Sequence, residues 1–134
     1  MKTQKQIIGQ RGEEEATSWL VGEGHKILRR NWRSGHLELD IITLKERVLH
    51  IIEVKTRSAG APAPPEVNVG QEKKRKMVSA ANAFLNSPDR ARLPADLEIW
   101  LDVLTVVFEE PEPRIEYFPQ AIIPLYLSGY SKYR

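Results

Sequence analysis

The chain contains no cysteine, which excludes disulfides, thiolate metal centres and thiol nucleophiles. That absence is compatible with a reducing compartment. No apolar run approaches the roughly 20 residues that a membrane-spanning helix needs. The segment Met1–Gln6 is polar and lacks the apolar core of a secretory signal. A soluble, cytoplasmic protein with no membrane contact is therefore expected. Charge of one sign is scarce too: the net is only +2, so the whole-molecule field announces no polyanionic partner.

What is present is enough for a core. A length of 134 residues at 41% hydrophobic content suits one globular domain, expected to span 1–134. Basic residues gather in two blocks, Lys26 to Arg33 and Lys73 to Lys76. Taken alone, each block fits a solvated face.

Residues 11–23 read as a helix with Ala16, Trp19 and Leu20 on one face and Gly22 and Gly24 closing it. Three strands follow at 25–33, 37–44 and 48–56. A Pro- and Ala-rich stretch without periodicity predicts a mobile loop near 58–70. A helix is expected over 71–86, with Met77, Ala80, Ala81, Phe84 and Leu85 as its apolar face. Strands at 98–108 and 114–118 come last, before a tail made irregular from about 119 by Pro119 and Pro124. The order is α-β-β-β-α-β-β, an α/β fold whose five-stranded mixed sheet is flanked by helices.

Two strands carry residues that packing does not need. Glu53 and Lys55 end the apolar run Val48–Ile52 and project from one face. Glu38 and Asp40 likewise share a face of the preceding strand. Ionised groups on such strands are costly unless paired or bound to a cation. Register decides whether the acids meet. Either a two-residue or a four-residue turn around Glu46-Arg47 sets Asp40 against Glu53, whereas a three-residue turn separates them. Glu-Arg is a poor two-residue turn, so the four-residue form is expected. Paired carboxylates would then share a hard cation such as Mg²⁺ (or Mn²⁺), which takes oxygen ligands at about 2.0–2.1 Å and keeps several waters. The Val54 carbonyl is a further candidate ligand. Lys55 would orient a water and balance charge at a phosphodiester. The same residues also fit an edge hairpin with Glu53 paired to Lys55 or Arg57 and solvated acids at 38 and 40.

The chain also resembles a known group. Gly9, Gly12-Glu13, Ala16, Trp19-Leu20, Arg30-Asn31, Glu38-Leu39-Asp40 and Glu53-Val54-Lys55-Thr56-Arg57 are similar to the motifs of the YraN-like uncharacterised bacterial proteins. These belong to the restriction-endonuclease-like PD-(D/E)XK nuclease superfamily. Lys73-Lys74 leading to Ala80-Ala81-Asn82, and Leu101-Asp102-Val103, extend the match. Leu37 and Trp100-Leu101 depart from it, where the family carries Gly and an Arg before a Phe.

The resemblance implies a restriction-endonuclease-like fold and a metal-dependent endonuclease, or nuclease-like DNA-processing protein, acting on structured or branched DNA. It puts Asp40, Glu53 and Lys55 at catalytic positions, with Asp40, Glu53 and the Val54 carbonyl on the metal. Glu13 would reach that metal through water, and Glu38 would support the site. Arg30, Arg33, Arg57, Lys73 and Lys74 are candidate nucleic-acid contacts. A homodimer, or a place in a DNA repair or uptake assembly, is compatible with it. A different class, a non-catalytic nucleic-acid-binding or protein-interaction module on the same fold, is the alternative.

Other residues draw milder expectations. Asp102 reads equally as a supporting group or a hydrogen-bonded structural acid. His36 and His50 show no zinc spacing. Trp19, Trp32 and Trp100 are expected in the core.

Overall fold

A computed structural model describes residues 1–60 and 70–122. Its elements run α1 (Gln4–Gly22), β1 (Lys26–Ser34), β2 (Leu37–Lys45), β3 (Val48–Ser58), α2 (Gln71–Leu85), α3 (Pro88–Ala91), β4 (Glu98–Phe108) and β5 (Arg114–Ile122). The five strands form one sheet in the order β1-β2-β3-β4-β5. Only β3 and β4 are parallel, as expected of two strands joined through a helix. This is a mixed α/β sheet flanked by helices, in keeping with a restriction-endonuclease-like fold.

Alternation along β3 divides the core. Leu49 and Ile51 pack with Met77, Ala81 and Phe84 of α2. Ile52 packs with Ala16 and Leu20 of α1. Each helix thus covers one face. No helix among the described residues is long and apolar enough to cross a membrane.

Helix α1 begins two turns earlier than its apolar face suggests. Thr3 and Gln6 form a capping box, which satisfies two N–H groups left over at the helix start. Its end is the expected one. Gly24 takes φ 93°, while the Gly24 and His25 N–H groups donate to the Val21 and Leu20 carbonyls at 3.1 and 2.9 Å. This is a Schellman closure, which favours glycine at the left-handed position.

The β2–β3 turn corrects the expected four-residue loop. Lys45 pairs with Val48, and both turn residues are left-handed, Glu46 at φ 49° and Arg47 at φ 64°. That conformation costs a non-glycine residue about 1–2 kcal/mol. Contacts from the start of β4 hold it: the Glu98 N–H donates to the Arg47 carbonyl at 3.2 Å, and Arg47 is ion-paired with Asp96.

Two further boundaries differ. Strand β5 continues through Pro119 to Ile122, so the tail is not irregular from 119. Proline is tolerated because β5 is an edge strand, and the ladder bulges there, with Gln120 at φ 54°. The short helix α3 has no periodic signal of its own. Ser87 caps it and Pro88 opens it. Of the expected mobile loop, residues 61–69 lie outside the described residues, as does the tail from 123.

Candidate active site at a fork in the sheet

The β2–β3 ladder runs only from Lys45/Val48 to Ile41/Ile52. Before Ile41, β2 pairs with β1, and beyond Ile52, β3 pairs with β4. The two strands therefore part at Asp40 and Glu53. Parting would leave backbone donors unmatched, and buried N–H groups need acceptors. Asp40 supplies one: its Oδ2 accepts from the Val54 N–H at 2.8 Å.

Other elements bring more acid to the same fork. Gly12 lets α1 approach β3 so closely that an added Cβ would sit 2.2 Å from the Thr56 methyl. The next residue, Glu13, is thereby carried to the strands. The Asn31 side chain lies near enough to favour its ionised carboxylate, and Asn31 itself sits at φ 52°, a conformation asparagine tolerates. Glu38 is exposed and accepts from Arg33 Nε at 2.9 Å.

The electrostatics follow from this crowding. Asp40 is pushed up to about 8, first by burial and then by the Glu53 charge, with Glu13 and Glu38 adding and the Val54 N–H opposing. Glu13 is also raised, chiefly by burial and then by Glu38 and Glu53, against the Asn31 hydrogen bond and Arg30. Four acids thus share one field, which a cation would relieve.

The basic candidates separate. Lys55 is half-buried and has no ion pair among the described residues. Glu53 pairs instead with Lys73 of α2, 3.0 Å away, and not with Lys55 or Arg57. Arg57 bonds Glu116 at 3.1 Å, and Arg33 bonds Glu38. Arg30 lies close enough to lower the Glu13 pKa, while Lys74 faces a separate groove along α2.

The donor set at the fork is entirely hard oxygen, which suits Mg²⁺ or Mn²⁺. Among the described residues no three His, Asp or Glu side chains converge as a complete cage. The protein's share would be Asp40 and Glu53, completed by the Val54 carbonyl and water, a ligation Mg²⁺ accepts. Reading the residues in sequence overlooked Asn31 as a neighbour that favours the ionised form of Glu13. The signal was available: asparagine is the side chain that most readily takes a left-handed position inside a strand.

The remaining polar residues have settled roles. Asp102 is fully buried; it bonds His50 Nδ1 at 2.7 Å and accepts from the Tyr117 hydroxyl and, at 2.9 Å, from the Gln120 N–H. It is a structural acid. Trp32 is buried against Phe84 and donates to Asp89 at 3.2 Å. His36 is exposed in the β1–β2 turn.

A mixed α/β sheet that forks beneath a cluster of acids defines a restriction-endonuclease-like protein as the structural class. The family follows from comparison: the model of the uncharacterised protein family UPF0102 matches residues 12–106, and the chain belongs to that family. A UPF0102 protein of Bacteroides thetaiotaomicron is 38% identical over 117 residues, 87% of this chain and 93% of the relative. One from Anaeromyxobacter dehalogenans is 40% identical over 119 residues, covering 87% and 84%. One from Flavobacterium psychrophilum is 38% identical over 114 residues, covering 85% and 92%.

Proposed function

We propose that this protein is a metal-dependent endonuclease, or a nuclease-like DNA-processing protein, that hydrolyses phosphodiesters of structured or branched DNA at the fork. The observation that carries this reading is the crowding of Asp40 by Glu53, Glu13 and Glu38 where β2 and β3 part, two residues along β3 from Lys55, which has no ion-pair partner among the described residues.

Asp40 and Glu53 would hold Mg²⁺ or Mn²⁺, with the Val54 carbonyl as a backbone ligand. Such an ion, when bound, polarises the phosphodiester and lowers the pKa of water. The Val54 N–H fixes one Asp40 oxygen, so the other is the one turned to a ligand. Lys55 holds the attacking water in line and offsets negative charge that develops at phosphorus. Glu13, with Asn31 favouring its ionised form, would accept a hydrogen bond from a water on the ion. Lys73 releases Glu53 and takes a phosphate oxygen instead.

The Lys73–Glu53 ion pair is also the one observation that favours the second reading. A lysine that already neutralises Glu53 would suit a non-catalytic nucleic-acid-binding or protein-interaction module on this fold, and fold alone does not decide function. Cleavage of linear, nicked, flapped and four-way DNA with Mg²⁺ or Mn²⁺ separates the two. Metal-dependent cutting that Lys55→Ala lowers by about 100-fold or more, the usual scale for a positioned catalytic group, supports the nuclease. Salt-dependent binding without turnover supports the module.

A further inference from the structure

A groove separates α2 from the end of β5. It encloses about 710 Å³ and takes one stripe of the helix, Gln71, Lys74, Arg75, Val78, Ser79 and Asn82. These positions recur at the three- and four-residue spacing of a single helix face. Ile122 and Ala121 form the opposite wall. We propose that this groove seats an unpaired DNA strand running to or from the acid site; the inference rests on the nuclease reading and adds where the substrate's single-stranded part lies.

Charge argues for the occupant. Among the described residues no acidic side chain lines the groove. Neither Lys74 nor Arg75 has an ion pair among the described residues, whereas Arg29, Arg33, Arg47 and Arg57 each face a carboxylate. The two cations therefore suit phosphate oxygens. Val78 and, across from it, Ile122 supply apolar surface against which a base can lie, and Gln71 and Ser79 present amide and hydroxyl groups to base edges. A purely apolar peptide would leave the cations unmatched.

Size and position agree with this. The volume falls in the range of about 300–1,000 Å³ typical of small-molecule sites, which admits a few unstacked nucleotides and not a duplex. Continuity comes from the helix itself. Lys73 reaches Glu53 at the fork, and its neighbour Lys74, about 100° further around α2, lines the groove. A strand leaving the acids would meet Lys74 and Arg75 next.

The test is binding of a fluorescent single-stranded oligonucleotide and of its duplex, in chelator and across a salt series. It uses the wild type, Lys74→Ala/Arg75→Ala, and Ser79→Trp, which fills the groove from an exposed position; thermal melts confirm that each variant is folded. The double variant should bind the single strand about tenfold more weakly and lower the salt slope by about 1.4, the expectation for two lost phosphate contacts at about 0.7 each. Ser79→Trp should weaken the single strand more than the duplex. Single-strand affinity unchanged in both variants overturns the groove while leaving a wild type that cuts DNA as a nuclease. A wild type that neither binds nor cuts DNA removes the nuclease reading, and the groove's role with it.

Discussion

Two regions of this molecule bury ionisable groups, and they solve the problem in opposite ways. On the α1 face, His25, Thr43, His50, Asp102 and Tyr117 form a closed network. His25 bonds Thr43 at 2.7 Å, and His50 bonds Asp102 at 2.7 Å while its ring lies 4.7 Å from that of His25. Both Asp102 oxygens are bonded. At the fork, by contrast, Asp40, Glu53, Glu13 and Glu38 bring like charge together, and the Val54 N–H is the one donor that opposes it at Asp40. A satisfied polar network rigidifies a core. Crowded like charge instead displaces the pKa of the carboxyl at its centre, and acids displaced in this way concentrate at functional sites. Burial alone would not have told the two apart.

The comparison can be broken most severely at Asp102. Removing it by Asp102→Ala leaves His50, the Tyr117 hydroxyl and the Gln120 N–H without their acceptor. The expected loss is about 3–5 kcal/mol, the scale for deleting one member of a buried pair, read as a lower urea midpoint. Next in size is the seam that brings α1 to the fork. Gly12→Ala drives a methyl into Thr56, whose β-branched side chain cannot swing away freely. A loss of about 1–3 kcal/mol is expected, together with a displaced Glu13.

Asp40→Asn should act with the reverse sign. In the wild type the folded-state pKa of Asp40, about 8, lies above its ordinary value of 3.8. The folded state therefore binds the extra proton between those limits, and the stability linked to that proton is complete below about pH 4 and lost as pH rises through 8. Asn keeps a neutral group there. Above pH 8 the variant should be more stable than the metal-free wild type by at least about 1.4 kcal/mol, one pKa unit, while losing Mg²⁺-dependent cutting and any Mg²⁺-induced rise in Tm. Equal stability of the two proteins across pH 5–9 would remove the crowding from the account.

The smallest expected effect sharpens the contrast through pH. Burial, then His50 and Lys45, lower His25 to about 4 from its usual 6.5, with Asp102 opposing. The unfolded chain takes the proton first, so this stability is present above pH 6.5 and lost as pH falls towards 4. The advantage of the wild type over His25→Asn should therefore shrink on acidification, whereas the Asp40→Asn difference grows on alkalinisation. Denaturant midpoints at pH 5, 7 and 9 read both.

Much of this was legible from residue order because the signals are local. The apolar runs at 48–52 and 99–107, and the Met77, Ala80, Ala81, Phe84 spacing, mark β3, β4 and α2 through their periodicity. Face parity put Glu53 and Lys55 together. Failures fell where a local preference was weak or overruled. The first turns of α1 show little apolar periodicity and are declared by the Thr3–Gln6 box alone. Glu46-Arg47 is a poor hairpin turn on its own terms, and the contacts that hold it come from residues about 50 positions later. Pro119 looked like a strand end, which is sound for a central strand and not for an edge.

By itself the order of residues determined the succession of elements, which faces are apolar, and that acids and a lysine lie on neighbouring strands, since each depends on spacing within one segment. Only the tertiary structure decided that β2 and β3 part at Asp40, that Gly12 admits Glu13, and that Glu53 takes Lys73 as its partner in place of Lys55. Those outcomes depend on distances between segments far apart in the chain, and on which acids those distances bring into one another's field.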